Sequence, residues 1–306
     1  ARSVTGPLRA LAATATGLAG GNLEARARVK SSDEVGQLAR AFNAMIPQLR
    51  SHISTKESLA LACEVQQKLL PKSPPQIPNI EIAGRCAYSE DVGGDYYDFI
   101  QFPMTSGGQR VGIVVGDVVG HGVVAALTMT AVRALLRSHA SDGSDLSAVM
   151  NAVNRHVAAD ASGGRFITLV YLVIDSNPRR IRWISAGHGP TLLYDVKNDT
   201  FDELPIEDIP LGIRPNWAFR ECGREGWPEP AVLVMGTDGI WETRDASGAT
   251  FGKPRLKQLI RAYAHLSAED ICDKVVEQLR AFAGDEPQRD DITLVVVKFA
   301  PSERAS

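Results

Sequence analysis

Four stretches of the chain each deliver an aspartate to the end of an apolar run. "EDVGGDYYDF" places Asp95 behind Gly93 and Gly94, and "VVGDVVGHG" places Asp117 at the close of a strand-like segment. "VLVMGTDGIWE" does the same with Asp238, and "EPQRDDITLVVV" sets Asp290 and Asp291 immediately ahead of one. A carboxylate at the end of a buried strand is costly unless something compensates it. Arg289 precedes Asp290, but Asp95, Asp117 and Asp238 have no basic residue within two positions. Acids gathered without local cations point to a hard divalent metal held by oxygen ligands. The adjacent glycines would let backbone approach such an ion, and a main-chain carbonyl such as that of Val118 could then ligate it. Any one of these acids alone reads more simply as a turn or helix-cap residue. Their recurrence in one context favours the metal.

The elements that carry these acids alternate in a particular way. Strands are expected at "IEIAGRCAY", "YYDFIQF", "RVGIVVGDV", "FITLVYLVID", "RIRWISAG", "PTLLYDV", "AVLVMGTDG" and "ITLVVVKF". Helices are expected at "GVVAALTMTAVRALLRSHA", "LSAVMNAVNRHVAAD", "KPRLKQLIRAYAH" and "SAEDICDKVVEQLRAFA". Strands dominate both ends and the helices come in pairs, which argues for an α+β fold of antiparallel sheets covered by helices. No GxGxxG or Walker A loop is present, so a nucleotide-binding fold has little support. A net charge of -3 over 306 residues gives no basic footprint for nucleic acid. The cysteines, Cys63, Cys86, Cys222 and Cys272, have no CxxC spacing, which speaks against zinc and for a reducing compartment. No apolar run is long enough to cross a bilayer.

The first part of the chain reads differently, as helix, connector, helix. Pro7 suits a first helical turn. Leu8, Leu11, Ala15 and Leu18 follow at helical spacing, and Gly20-Gly21 ends the run. Ser32 is a candidate N-cap for a second helix, with Asp33 and Glu34 where the helix dipole favours anions. Leu38, Phe42, Met45 and Leu49 then make a heptad seam, continued by His52, Lys56, Leu59 and Cys63. Two such helices cannot bury their stripes alone. Either a second copy completes a parallel four-helix bundle, or an antiparallel hairpin docks on the second domain. Pro47 falls inside the second helix and implies a kink or a restart there. "PKSPPQIPNI" ends helical structure, and a second domain is expected from about Ile80.

Two resemblances follow. "PLRAL", "GGNL" and "DEVGQLARAFNAM" resemble a HAMP signalling module over residues 3–54. "VGGDYYDF", "VVGDVVGHG", "SAGHGP", "TDGIWETRDASGATFG" and "RDDITLVVVK", in that order, resemble the PPM-type metal-dependent serine/threonine phosphatases of the SpoIIE/RsbU-like bacterial branch. The preceding helix with its "QQKLLP" end fits that branch too. The resemblance implies an αββα sandwich over residues 75–300, preceded by a helical HAMP bundle and a helical linker over residues 55–72. It implies two Mn²⁺ or Mg²⁺ ions, bridged by Asp117, with Val118 offering its carbonyl, Asp238 and Asp290 completing the second ion, and Asp95 holding a water. Asp291 stands outside that set, as a group behind the ligands or a cap opening the strand. The implied reaction is hydrolysis of phosphoserine or phosphothreonine by activated water, on a STAS-type anti-sigma-factor antagonist. A phosphoprotein-binding scaffold without turnover is the alternative.

Several residues keep two readings. His121 is a general acid or a group that caps or packs the helix opening near Gly122. His188 reads as a turn histidine rather than a substrate-positioning one. Trp241 and Phe251 are expected to pack a flap near the site. Pro47, Lys56 and Cys63 mark the linker as a candidate regulatory element. Because HAMP modules usually follow a transmembrane helix, and the chain begins at Ala1 without a methionine, the resemblance implies the cytoplasmic part of an inner-membrane-anchored, homodimeric sensor.

Overall fold

The computed structural model describes residues 2–31, 33–104, 108–160 and 164–301, with side chains from residue 5. The chain divides into two compact units, residues 1–63 and 64–306.

The first unit is α1 (Arg2–Ala19), an extended connector, and the larger part of α2 (Glu34–Leu69). Pro7 lies inside α1, beyond its opening turn. The expected cap Ser32 lies outside the described residues. Asp33 caps the start of α2, with its Oδ1 accepting from the backbone N–H groups of Val35 and Gly36, both at 3.1 Å. The connector is fastened by Asn43, whose side-chain amide accepts from Ala27 N at 2.9 Å and donates to Ala27 O at 3.0 Å. A small core forms around Leu11, Ala27 and Ala39, with Val29, Val35 and Phe42 against it. Of the expected seam, Phe42 therefore turns inward, whereas Leu38 and Met45 stay exposed. Helix α2 does not restart at Pro47; it runs as one helix through that residue.

The second unit is a sandwich of two five-stranded antiparallel sheets. Its strands are β1 (Ile80–Ala87), β2 (Tyr96–Gln101), β3 (Arg110–Val118), β4 (Ile167–Ser176), β5 (Arg179–Ala186), β6 (Thr191–Asp195), β7 (Thr200–Leu204), β8 (Cys222–Glu225), β9 (Ala231–Gly236) and β10 (Ile292–Phe299). One sheet has the order β1-β10-β9-β6-β7 and the other β2-β3-β4-β5-β8. Helices α3 (Gly122–His139) and α4 (Leu146–Asp160) cover the second sheet. The short α5 (Gly239–Glu242), α6 (Gly252–Tyr263) and α7 (Ala268–Ala283) belong to the outer side of the first.

Strand periodicity builds these layers. In β3, Val111, Ile113 and Val115 point between the sheets, where they meet Leu233, Val295 and Val297. Val114 and Val118 point the other way, onto Met129 and Val132 of α3. On the opposite outer face, Val232, Val234, Leu294 and Val296 pack on Ile271, Val275 and Leu279 of α7. The result is the αββα sandwich that the motif order implied. Strands β7 and β8 and the helical turn α5 were not expected from the sequence. Phe251 is buried edge-on against Phe282 of α7, with ring centroids 5.3 Å apart, and Trp241 packs on the same helical layer. The two residues flank the turn between α5 and α6. Among the described residues, no helix is long and apolar enough to cross a membrane.

Candidate metal centre

The strand registers bring the acids together in two pairs. Tyr96, just after Asp95, pairs with Gly116, just before Asp117. Gly236, two residues before Asp238, pairs with Leu294, close behind Asp290 and Asp291. One sheet thus supplies Asp95 and Asp117, and the other supplies Asp238 and Asp290. Their electrostatics show that both pairs share one edge of the sandwich. Burial, and then Asp238, Asp290 and Asp291, together push the Asp117 carboxyl up to about 7. Asp95 is raised well above the carboxylate range by complete burial and then by Asp117. Asp238 and Asp290 are also raised, chiefly by burial.

Local structure explains each position. Gly94 passes so close to β3 that a Cβ there would stand 2.8 Å from the Val118 carbonyl oxygen, so only glycine lets these backbones meet. Beyond Val118 the chain turns through Gly120 and Gly122 at φ of 96° and 73°, conformations that other residues rarely adopt. Asp95 accepts from the Thr237 hydroxyl at 2.7 Å, and the same hydroxyl accepts from Thr293 N at 2.9 Å. Thr237 therefore ties the Asp95 carboxyl to the backbone of β10. Asp291 faces the loop before β2. Its Oδ1 accepts from Ser89 N at 2.8 Å and Ser89 Oγ at 3.1 Å, and its Oδ2 from Gly94 N at 2.9 Å and Asp95 N at 3.4 Å.

Among the described residues, no basic side chain forms an ion pair with Asp95, Asp117, Asp238 or Asp290. The donor set is all oxygen and its charge is uncompensated, which suits hard divalent cations. The side chains are not drawn into a closed cage: among the described residues, no three His, Cys, Asp or Glu groups stand together at metal-holding distance.

His121 precedes α3 but makes no side-chain cap. Its exposed ring places Nδ1 2.9 Å from Glu90 Oε1, and its charge opposes the upward shift of Asp290. His188 is buried, with Nδ1 3.0 Å from Thr168 Oγ1, and burial lowers its pKa to about 4, so it stays neutral. Thr168 is the register partner of Asp117, so this histidine belongs to the framework under the site. One residue missed by the sequence reading is Gln66, in the last turns of α2. It is buried, donates to Gly93 O at 2.7 Å and accepts from Gly93 N at 3.2 Å. The "QQKLLP" end was legible as a motif, but its partner Gly93 was not. Pro47 and Lys56 are exposed and Cys63 is half-buried along the same helix.

An αββα sandwich with an acidic, uncompensated edge defines a PP2C-type phosphatase domain. The family model for Stage II sporulation protein E (SpoIIE) matches residues 107–300, more than half of the chain, and the HAMP domain model matches residues 1–51. The chain belongs to the SpoIIE family and carries a HAMP domain ahead of its phosphatase domain. It is 28% identical over 243 residues to phosphoserine phosphatase RsbU of Bacillus subtilis (strain 168), covering 79% of this chain and 70% of that protein. It is 25% identical over 249 residues to phosphoserine phosphatase RsbP of the same organism, covering 80% of this chain but only 58% of that protein. Among solved structures, the SiaA-PP2C domain of Pseudomonas aeruginosa is similar at a TM-score of 0.69 and 21% identity, over 81% of this chain and 98% of that one. The catalytic domain of the serine/threonine protein phosphatase PstP, in complex with two manganese ions, is similar at 0.53 and 14%, over 72% and 99%. These likenesses show the fold.

Proposed function

We propose that this chain is a signal-regulated protein phosphatase that hydrolyses phosphoserine or phosphothreonine, on a STAS-type anti-sigma-factor antagonist. The observation that carries the reading is the shared edge of four carboxylates, all raised in pKa and none ion-paired. The phosphoserine phosphatases among its relatives and the manganese complex of the same fold support it. Two divalent cations, Mn²⁺ or Mg²⁺, would be held by Asp117, Asp238, Asp290 and the Val118 carbonyl. When bound, they supply Lewis acidity toward the phosphoryl oxygens and lower the pKa of water.

The chain's own residues do the rest. Thr237 fixes the Asp95 carboxyl by its hydrogen bond, and Asp95 would orient a water and hold its proton. Asp291 fixes the loop on which Asp95 rides. The water oxygen bonds to phosphorus as the seryl or threonyl oxygen departs with the bonding electrons and takes up a proton. Free hydroxyl and inorganic phosphate result, and no phosphoenzyme is required. In this reading the HAMP domain and α2 regulate the output, and the chain is the homodimeric cytoplasmic portion of an inner-membrane-anchored sensor.

Hydrolysis of a phosphoserine substrate by the chain, with Mn²⁺ and with Mg²⁺, tests the reading. Metal-dependent turnover that Asp117→Ala abolishes is expected. Near-wild-type turnover of that variant at saturating Mn²⁺ would overturn the bridging role. Phosphoprotein binding with no turnover under either cation would establish the scaffold instead.

A further inference from the structure

Beside the metal edge, a cavity of 440 Å³ opens between α7, the 284–291 loop and the segment after α5. Asp290 and Gly239 are among its lining residues, so it borders the metal-site acids. It adjoins a second cavity of 390 Å³, which shares Ala87, Val276, Arg280 and Ile292 with it. Together they form a groove running along α7 away from the acids. Val276, Leu279, Ala283 and Ile292 give it an apolar floor. A small phosphate ester held at the acids has no use for this length.

The polar rim is the informative part. Arg289 lies 3.6 Å from Glu286 and is balanced there. Glu242 belongs to the acid end, where it raises Asp238. Along the second cavity, Asp273 is paired with Arg85 and Glu277 with Lys274, both at 2.7 Å. Arg244 and Arg280 remain. Among the described residues, neither guanidinium has a hydrogen bond or ion pair to any side chain or carbonyl, although both line the groove. Yet the segments presenting them are fixed. Arg244 opens a turn closed by its bridge to Thr250 and by Phe251 N donating to Thr243 O at 2.8 Å. Asp245 Oδ1 pins that turn from within, accepting from Ser247 N at 2.9 Å and Ala249 N at 3.0 Å. Arg280 projects from α7, and Gln288 fastens the facing loop by donating to Ala87 O and Asp290 O, both at 2.8 Å. Rigid walls, an apolar floor and two uncommitted guanidinium groups make a preorganised site for carboxylates on an extended chain.

We propose that this groove receives the polypeptide flanking the phosphoresidue of the substrate, and that Arg244 and Arg280 select acidic side chains in that segment. This rests on the phosphatase reading above and adds to it a rule of sequence preference.

The test uses two short, fluorescently labelled phosphoserine peptides, one flanked by Asp and Glu, the other by Ser and Gly. Their binding to the whole chain is followed by anisotropy in chelator, so that turnover plays no part. The acidic peptide is expected to bind at least about tenfold tighter, the scale of one charge-assisted hydrogen-bonded pair. Arg244→Glu and Arg280→Glu should each erase that preference and favour a third peptide flanked by Lys. Arg244→Gln and Arg280→Gln, milder changes at exposed positions, should erase it without the reversal. Equal binding of the acidic and neutral peptides by the unaltered chain would overturn the proposal, and so would an acidic preference that survives both glutamate variants. Hydrolysis of a small aryl phosphate with Mn²⁺ is measured alongside. Its absence beside an intact acidic preference would remove the phosphatase reading and leave the groove standing.

Discussion

Asp117 is mostly buried and lies in the repulsive field of three other acids, and this sets how its ionisation affects the fold. Its pKa rises from an ordinary 3.8 to about 7. Between those values the native protein binds a proton that the unfolded chain has lost, so stability falls as pH rises through that window. Asp117→Asn cannot ionise and escapes the loss. In chelator, the stability of Asp117→Asn relative to wild type should therefore grow from pH 4 to pH 7 and level off above it. A gap that stays flat across the window in denaturant melts would contradict the burial of Asp117 among the other acids. Asp290 and Asp291 should separate just as clearly. Both Asp291 oxygens accept from donors in the loop before β2. An asparagine must point its NH₂ at two of those donors, which costs about 1–3 kcal/mol. Asp290 is raised by burial and by Asp238 and Asp291, so Asp290→Asn should leave the chelated fold as stable or more so, and weaken Mn²⁺ binding instead. Equal loss of stability in both variants would remove the distinction. The acids themselves were legible, because an isolated carboxylate beside glycine at a strand end stands out. Gln66 and Thr237 were not, since their partners lie 27 and 142 positions away and polar side chains carry no periodicity.

At the scale of elements, β2 and α3 are joined by a buried charge. Asp98 lies in the middle of β2 with no exposure. It receives Arg137 Nε at 2.6 Å and Nη2 at 2.7 Å, and the Tyr96 hydroxyl at 2.8 Å, with Arg133 at 3.7 Å. This bond fixes α3 against the strand that follows Asp95. Arg137→Met leaves the carboxylate buried and should cost about 3 kcal/mol, near the lower end for a broken buried pair because Arg133 remains. Asp98→Asn added to it should restore part of that loss. A double variant no more stable than Arg137→Met, in urea denaturation, would show that packing rather than charge is lost. The long strands were readable because alternation like that of β3 is dictated by two buried faces. The edge strands β7 and β8 were not. "TFDEL" and "CGRE" each have one neighbour and mostly exposed or half-buried side chains, so no clear apolar alternation marks them. In "DYYDF" only the first acid is marked by neighbouring glycines. The second, Asp98, hides its partners on α3, some 39 positions away.

At the scale of the whole molecule, the first unit is short of core. Among its described residues a small cluster of Leu11, Ala27 and Ala39 is buried and Ile46 is buried as well, whereas Leu8, Leu38 and Met45 are exposed. Helices this poorly covered gain most of their stability from packing against something else. Residues 3–70 are therefore expected to associate as a parallel dimer, and a monomer by light scattering at about tens of micromolar would count against it. Exposed apolar positions continue along α2 at Leu61 and Val65. The 36 residues of α2 form one continuous helix that begins in the first unit and ends in the second.

What α2 reaches is the loop before β2. Gln66 holds Gly93 through both of its backbone groups, and Gly93 is two residues from Asp95. Rotation or translation of the last turns of α2 must therefore break these bonds or move the loop that carries Asp95. The upstream seam is weak, because Lys56 and Cys63 stand where a strong heptad would place leucine. Two packings of such a seam differ by only about a few kcal/mol, enough for an input module to select between them. Lys56→Leu and Cys63→Leu together should stabilise one packing and shift basal turnover by about several-fold, with a parallel shift in apparent Mn²⁺ affinity. Gln66→Ala, which cuts the connection at Gly93, should make turnover insensitive to that pair of substitutions. If the seam variant folds, dimerises and matches wild type in turnover and Mn²⁺ dependence, α2 is a passive tether, and the hydrogen bonds of Gln66 serve the fold alone.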